Sequence, residues 1–165
     1  MSTEPDGRSS RWDAHREERR TALVEGAVRA IDAHGADVSM AEIATEAAAS
    51  KPVLYRYFAD KDELLAAVGQ WGADEVLGRV VPALRAEAPV RQRIEAAIDA
   101  YLDIIEEHPQ VFLLLVRHRA GGGDPLADGK ARIAATLARC LSETMRGLGV
   151  DDGGAEPWAQ GIVGL

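Results

Sequence analysis

The 165-residue sequence has few cysteines and few aromatic residues. Its single cysteine, Cys140, excludes an internal disulfide and is typical of a reducing, cytoplasmic compartment, so we interpret it as a core thiol. Aromatic residues make up only 5% of the chain. The longest strongly apolar run, VFLLLV, is far too short to cross a bilayer, and the polar N-terminus lacks the apolar segment of a secretory signal. We therefore expect no membrane association.

Sustained two-residue alternation of apolar and polar side chains is also missing, which argues against β-strands. Alanine-rich segments such as AEIATEAAA and ARIAATLARCL instead favour helix. The sequence therefore predicts an all-α fold.

Patterns of catalytic or metal-binding residues are absent as well. The four histidines show no metal-ligand spacing with one another or with Cys140, and the segment AGGGD lacks the lysine of a phosphate-binding loop. No set of nucleophile, base and orienting group can be assembled from the sequence. We predict neither an enzyme nor a protein with a metal or other cofactor.

The net charge of −8 is unevenly distributed. Between Arg8 and Lys61, nine basic residues balance nine acidic ones, so the acidic excess lies in residues 1–7 and after residue 61. Phosphate binding depends on the potential of one face rather than on the charge of the whole chain. The charge therefore neither favours nor excludes a nucleic-acid partner.

Capping and helix-breaking residues divide the first part of the chain. We expect a disordered tail over residues 1–12, followed by a helix from Asp13 to His34 that ends at Gly35. Ser39 and Glu42 have the spacing of a capping box, which predicts the start of a second, short helix.

The same signals place two further helices. Ser50 precedes Pro52, and proline is well tolerated in a first turn, so we predict that Ser50 caps a third helix ending near Tyr57. Asp60 and Glu63 repeat the capping pattern at the start of a long fourth helix that continues to about residue 84.

The remainder of the sequence predicts more helices separated by loops. Their expected starts are Pro89, Pro109, Asp124-Pro125 and Glu156. The sequence stops at GIVGL, within an apolar pattern and without a capping residue, so we expect the natural chain to continue beyond Leu165.

Two short helices, predicted at residues 40–47 and 51–57, are joined by only three residues. So tight a connection fixes them at a steep angle, as in a helix-turn-helix. The second helix of such a unit enters the major groove of DNA, where hydroxyl and cationic side chains suit phosphates and base edges and apolar ones suit thymine methyls. The candidate DNA contacts are Ser50, at the start of that helix, and Lys51, Pro52, Val53, Tyr55, Arg56 and Tyr57 on it.

The segment MAEIATEAAASKPVLYRYFADKDELLAAV resembles the DNA-binding domain of the TetR family of bacterial repressors, over roughly residues 17–68. The shared pattern is Ile43-Ala44, Ser50, Leu54-Tyr55, Tyr57-Phe58, Lys61 and Leu64-Leu65. The resemblance implies a helix-turn-helix DNA-binding domain at residues 13–59, here called the head. It also implies a helical effector-binding and dimerisation domain at residues 60–165, here called the body. The implied partners are operator DNA, a small-molecule effector and a second copy of the chain in a homodimer.

Carried over position by position, the resemblance assigns roles to single side chains. Lys51, Pro52 and Tyr57 would face bases, with Arg56 as a further base contact. Ser39, Tyr55 and Lys61 would hold phosphates. The sequence departs from the family at Ala48, where the turn usually has glycine. If that residue adopts a left-handed conformation, alanine costs on the order of 1 kcal/mol.

Outside the head, the resemblance implies a layout without naming an effector. The candidate pocket residues are the aromatic liners Trp71, Tyr101, Phe112 and Trp158 and the polar anchors Arg117 and His118. For each aromatic, a plain core role is about as good an interpretation. The apolar surplus around VFLLLV favours a hydrophobic or amphipathic effector. We therefore predict a ligand-responsive repressor; the alternative is a helical enzyme or interaction module with an incidental helix-turn-helix.

Overall fold

The computed structural model describes residues 7–117 and 124–164, with side chains described for residues 12–114 and 124–164. This part of the chain is helical and contains no strand, which confirms the all-α prediction. The helices are α1 (Gly7–His34), α2 (Met40–Glu46), α3 (Lys51–Tyr57), α4 (Lys61–Arg85), α5 (Val90–Glu107), α6 (Pro109–Arg117), α7 (Ala127–Gly147) and α8 (Ala155–Val163).

The first helix is longer than predicted. It begins at Gly7 rather than at Asp13, so residues 7–12 are helical and not part of a disordered tail; residues 1–6 lie outside the described part of the chain. A helix that is already nucleated extends at little cost per residue, even through an exposed polar segment. Its C-terminus is as predicted, since Gly35 has a φ of +84° and donates its N–H to the Ile31 carbonyl at 2.7 Å.

The predicted capping box at the start of α2 is present. Ser39 Oγ accepts a hydrogen bond from the Glu42 N–H at 3.3 Å, and Glu42 Oε2 accepts one from the Ser39 N–H at 2.8 Å. The hydrogen bond from the Ser39 backbone, together with one from its hydroxyl, holds the pKa of Glu42 below its ordinary value. The cap therefore favours the ionised form of the Glu42 carboxylate.

The next two helix starts differ in detail from the prediction. Ser50 occupies the N-cap position of α3, but its side chain makes no capping hydrogen bond. Pro52 offers no N–H, and the Val53 N–H donates to the Ser50 carbonyl at 2.9 Å instead. Asp60 caps α4 by accepting from the Glu63 N–H at 2.8 Å. The Glu63 carboxylate accepts from the N–H of Ala59, at 2.7 Å, rather than from Asp60 itself.

The core of the head lies where α1, α2, α3 and the start of α4 meet. Its largest fully buried side chains include Leu23, Ile31, Ile43, Leu54, Phe58 and Leu64. The same apolar cluster continues into the body through Leu114 of α6 and Leu126, just before α7. Head and body therefore share one core.

The body packs α4 against α5 and α7, and α7 against α8. Arg79 of α4 joins α5 through a contact of 2.8 Å with Glu107, whose pKa this hydrogen bond holds below its ordinary value. The last helix ends at Gly164, which has a φ of +80° and donates to the Gln160 carbonyl at 2.8 Å. The expectation that this segment has no capping residue was therefore wrong, because glycine adopts the left-handed conformation freely. Among the described helices, none combines the length and apolar character needed to cross a membrane.

Candidate nucleic-acid interface

Helix α3 presents a cationic and aromatic surface to solvent. Lys51, Pro52, Tyr55 and Arg56 are exposed, whereas Leu54 between them is fully buried against the head core. Lys51 and Tyr55 are four residues apart and therefore lie on one side of the helix, with the Lys51 ammonium 5.9 Å from the centre of the Tyr55 ring. The buried leucine fixes which side of α3 faces outward.

Two further α3 residues that are predicted to contact DNA are less exposed than Lys51, Tyr55 and Arg56. Val53 and Tyr57 are half-buried, and Tyr57 packs against the head core with the Arg56 guanidinium 5.4 Å from its ring centre. The phenol of Tyr57 is thus held by its neighbours, and its predicted contact with bases stays a prediction.

The predicted phosphate contacts outside α3 have partners within the protein. The Ser39 hydroxyl donates to Glu42 Oε2 at 2.7 Å, so its only proton points to a carboxylate. The Lys61 ammonium lies 3.5 Å from the carbonyl oxygen of Ala36, at the turn that follows α1. Lys61 has further donors for a phosphate, whereas Ser39 would have to leave Glu42 to reach one.

The turn between α2 and α3 has the geometry that the resemblance leads us to expect. Ala48 has a φ of +47°, the one positive φ of a non-glycine residue in the described part of the chain. Its N–H donates to the Thr45 carbonyl at 3.1 Å, and the Ala49 N–H donates to the Ala44 carbonyl at 2.9 Å. These two bonds form a Schellman motif, whose left-handed position is usually a glycine. Ala48 therefore occupies that position at a cost in backbone strain.

Close helix packing in the head depends on a residue that the sequence reasoning missed. A Cβ atom built on Gly26 of α1 would lie 2.4 Å from the Cβ of Ala47, at the end of α2. Nothing larger than glycine fits there without moving α2. The signal in the sequence is a single glycine inside an otherwise regular helical pattern.

The comparisons with known proteins agree with this geometry. The model of the bacterial regulatory proteins of the tetR family matches residues 23–68, and that of the tetracyclin repressor-like C-terminal domain matches residues 79–165. The chain belongs to the TetR family. It is therefore a TetR-family transcriptional regulator.

Relatives of this TetR-family protein include an HTH-type transcriptional regulator of Mycobacterium tuberculosis H37Rv. It is 37% identical over 166 residues, which cover 99% of this chain and 71% of the relative. The HTH-type transcriptional activator FasR of Mycolicibacterium smegmatis is 41% identical over 101 residues, or 61% of this chain and 46% of its own length.

Solved structures share the fold. A tetR-family regulator of Streptomyces coelicolor superimposes with a TM-score of 0.68 at 25% identity, over 90% of this chain and 68% of its own. The regulator FadR of Bacillus subtilis, in complex with stearoyl-CoA, gives a TM-score of 0.68 at 16% identity. The superposition covers 87% of this chain and 81% of the FadR chain.

The predicted effector residues of the TetR-family body do not share one environment. Trp71 is half-buried against the head core, and Phe112 of α6 is also half-buried. Tyr101 and Trp158 are exposed by 40% and 69%. The side chains of Arg117 and His118 lie outside the described residues. The six residues stay candidates.

A contact between head and body was also missed by the sequence reasoning. His108 is the C-cap residue of α5, and its Nδ1 lies 2.7 Å from Oδ2 of Asp32 on α1. The Val111 N–H donates to the other oxygen of Asp32 at 3.4 Å, and the edge of the Trp71 ring system meets the His108 ring with centres 5.0 Å apart. Asp32 thus connects α1 directly to the start of α6.

Proposed function

We propose that this TetR-family regulator is a repressor that binds a near-palindromic operator as a homodimer. In this proposal the head contacts DNA through α3, and a small hydrophobic or amphipathic effector in the body releases it. The observation that carries the proposal is the outward face of α3, where Lys51, Tyr55 and Arg56 are exposed side by side on a helix fixed by buried Leu54. These side chains can donate to base edges and to phosphate oxygens.

Helix α4 supports a link between effector and DNA. It has 25 residues, and at about 1.5 Å per residue it spans close to 40 Å. Its first turn holds Lys61 beside the head, and its last turn lies in the body. An effector that binds better to a conformation with mis-spaced heads lowers operator affinity by no more than its differential affinity for the two states.

Solved relatives with this fold support an amphipathic effector. FadR of Bacillus subtilis was crystallised with stearoyl-CoA, and the repressor AlkX of Dietzia is implicated in biodegradation of n-alkanes. Activation of transcription is a second candidate function, because the relative FasR is an activator and is 41% identical over part of the chain. Transcription from the chain's own promoter, measured with and without the protein, separates repression from activation.

The DNA-binding proposal is tested by titrating promoter DNA and scrambled DNA at increasing salt. We expect sequence-dependent binding with a steep negative slope of log affinity against log salt. Lys51→Ala should reduce discrimination between sites by about 1–3 kcal/mol, whereas Lys61→Ala should weaken all sites alike and reduce the salt slope by about one.

Arg91→Ala is the matched control, because Arg91 is an exposed cation of the body, outside the proposed interface, and its loss changes the net charge equally. Equal affinity for promoter and scrambled DNA would contradict the proposal. Loss of affinity in Arg91→Ala as large as in Lys51→Ala would show that net charge, not the α3 face, determines binding.

A further inference from the structure

A groove of about 400 Å³ opens in the body where the last turn of α4, the first turn of α5 and the second half of α7 meet. This volume lies within the range of roughly 300–1,000 Å³ that small-molecule sites occupy. Its walls combine two cations, Arg85 and Arg93, with the carboxylate of Glu143. The apolar part of the lining is formed by Leu84, Val90, Cys140 and Leu148. None of the four predicted effector residues whose side chains the structure describes contributes to it.

Arg93 gives this groove a buried N–H donor that lacks an acceptor. Its Nε is buried and has no hydrogen-bond partner among the described residues. Arg132 also has an unpartnered buried Nε, but the guanidinium of Arg132 is paired with Asp74. A buried guanidinium N–H without an acceptor is unfavourable, so Arg93 is suited to receive an anion.

Two neighbouring features strengthen the positive potential. Helix α5 begins at Val90 without a side-chain cap, so the positive end of its dipole lies at the groove. Arg85 contributes a second guanidinium; its contact with Glu143 is 3.5 Å long, and both side chains are more than half exposed. An ion pair so open to water is weak, and Arg85 can turn towards a bound anion.

Other parts of the groove wall are apolar, so they suit an apolar part of the ligand. Leu84, Val90 and Leu148 are apolar, and the adjoining Cys140 thiol is buried. An alkyl chain removed from water along these side chains would gain about 25 cal/mol per Å² of buried apolar area. The groove therefore fits a molecule with one anionic headgroup and one hydrocarbon chain.

We propose that this groove binds an amphipathic carboxylate, with its headgroup on Arg93 and its alkyl chain along Leu84, Val90 and Cys140. Because Leu84 and Arg85 belong to the last turn of α4, a bound molecule contacts the helix whose first turn reaches the head. We therefore assign the groove as the effector-binding site, and this assignment rests on the proposed function.

Cys140 provides a direct readout, since it is the only cysteine of the chain and lines the groove. The rate of its modification by the neutral reagent N-ethylmaleimide is measured against increasing dodecanoate. We expect dodecanoate to slow the modification in the wild-type protein. Arg93→Gln should weaken this protection about tenfold in dodecanoate concentration, the size expected for one charge-assisted hydrogen bond. Arg93→Lys, which keeps the charge, should retain part of it.

Arg91→Gln is the matched control on the same turn of α5, because its side chain is 86% exposed and lies outside the groove. Protection should be unchanged in this variant. Dodecanoate that merely unfolded the protein would speed modification in all variants instead. Equal protection by neutral dodecanol, equal loss in Arg91→Gln, or no protection of the wild type would each overturn the inference.

The experiments test the binding site and the proposed function independently. Protection of Cys140 is measured without DNA, and the operator titration is carried out without dodecanoate. Protection that is lost in Arg93→Gln supports the groove even if promoter binding proves non-specific, which would overturn the repressor. If dodecanoate protects Cys140 but leaves specific operator binding unchanged, the groove is a binding site and its assignment to the effector is wrong.

Discussion

Ala48 holds the turn of the helix-turn-helix in a left-handed conformation that alanine adopts reluctantly. Its φ is +47°, and its two Schellman hydrogen bonds are intact. The end of α7 has the same motif, with Gly149 at a φ of +70°. The Gly149 N–H donates to the Arg146 carbonyl at 3.0 Å, and the Val150 N–H donates to the Met145 carbonyl at 2.9 Å. Within residues 7–117 and 124–164, the same turn thus occurs with alanine at position 48 and with glycine at position 149.

This pair permits a reciprocal prediction. Ala48→Gly should raise the free energy of unfolding by about 1 kcal/mol, because relief of the left-handed strain exceeds the entropy that glycine adds to the unfolded chain. Gly149→Ala should lower it by a similar amount, since a Cβ there meets no atom within 4 Å and only the backbone conformation opposes it. Urea unfolding of both variants measures the effect. A destabilised Ala48→Gly protein would mean that the methyl group contributes more through packing than it costs in strain.

Local signals of this kind account for what could be predicted about single residues. The Ser39–Glu42 box and the strain at Ala48 depend on neighbours within a few positions, and both are in the sequence. The half-burial of Tyr57 depends on how α3 packs on the head core, and the sequence alone placed it with the base contacts. Ser50 lies between these cases: its position was correct and its hydrogen bond was not.

At the scale of helices, the body depends on a close approach of α4 and α7 at two glycines. A Cβ on Gly129 of α7 would lie 2.6 Å from the carbonyl oxygen of Gly69 on α4. A Cβ on Gly69 would lie 2.8 Å from a methyl carbon of Leu126. The first of these clashes is with backbone, which cannot turn aside as a flexible side chain can. Backbone contact between the two helices therefore requires glycine at position 129.

We predict that Gly129→Ala separates α4 from α7 and lowers the free energy of unfolding by about 1–3 kcal/mol, as overpacking of a core does. Gly78→Ala is the control, because Gly78 lies inside α4 with no atom near its would-be Cβ. There the higher helix propensity of alanine should stabilise the protein by about 0.5–1 kcal/mol. Thermal unfolding followed by circular dichroism compares the two. If both variants shift in the same direction, the contact between α4 and α7 is not the cause.

The helices themselves were predictable because their starts carry proline or capping residues and their apolar residues recur at helical spacing. Pro109, Asp60 and the Ser39–Glu42 box all mark starts that the structure has, to within a residue. The contacts between helices depend on the size of side chains at positions that are far apart in the sequence. The approach of Gly69 to Gly129 joins residues 60 positions apart, and nothing in the local sequence of either distinguishes it from exposed Gly78.

At the scale of the whole molecule, head and body meet around Asp32. Both of its carboxylate oxygens are engaged by the beginning of α6, one by the His108 ring and one by the Val111 N–H. Trp71 of α4 packs edge-on against the same His108 ring. This contact joins residues 76 positions apart, and it brings α1, α4 and α6 together at one point.

If this contact transmits the position of the body to the head, its removal should reduce the response to effector more than it reduces folding. Asp32→Asn and His108→Gln keep the approximate size of both side chains and remove the carboxylate and the imidazole. Each alone should lower the free energy of unfolding by about 1–2 kcal/mol, and a double-mutant cycle should show the two changes to be non-additive, because each partner loses the same interaction.

The decisive measurement is operator affinity with and without dodecanoate in the same variants. We expect specific operator binding to persist in Asp32→Asn, because the α3 face is untouched, while the ratio of the two affinities moves towards one. A coupling free energy acts reciprocally, so protection of Cys140 by dodecanoate should become independent of added operator DNA in that variant. An unchanged ratio in a variant that has lost the contact would place the transmission in α4 alone, through its continuous path from Arg85 to Lys61.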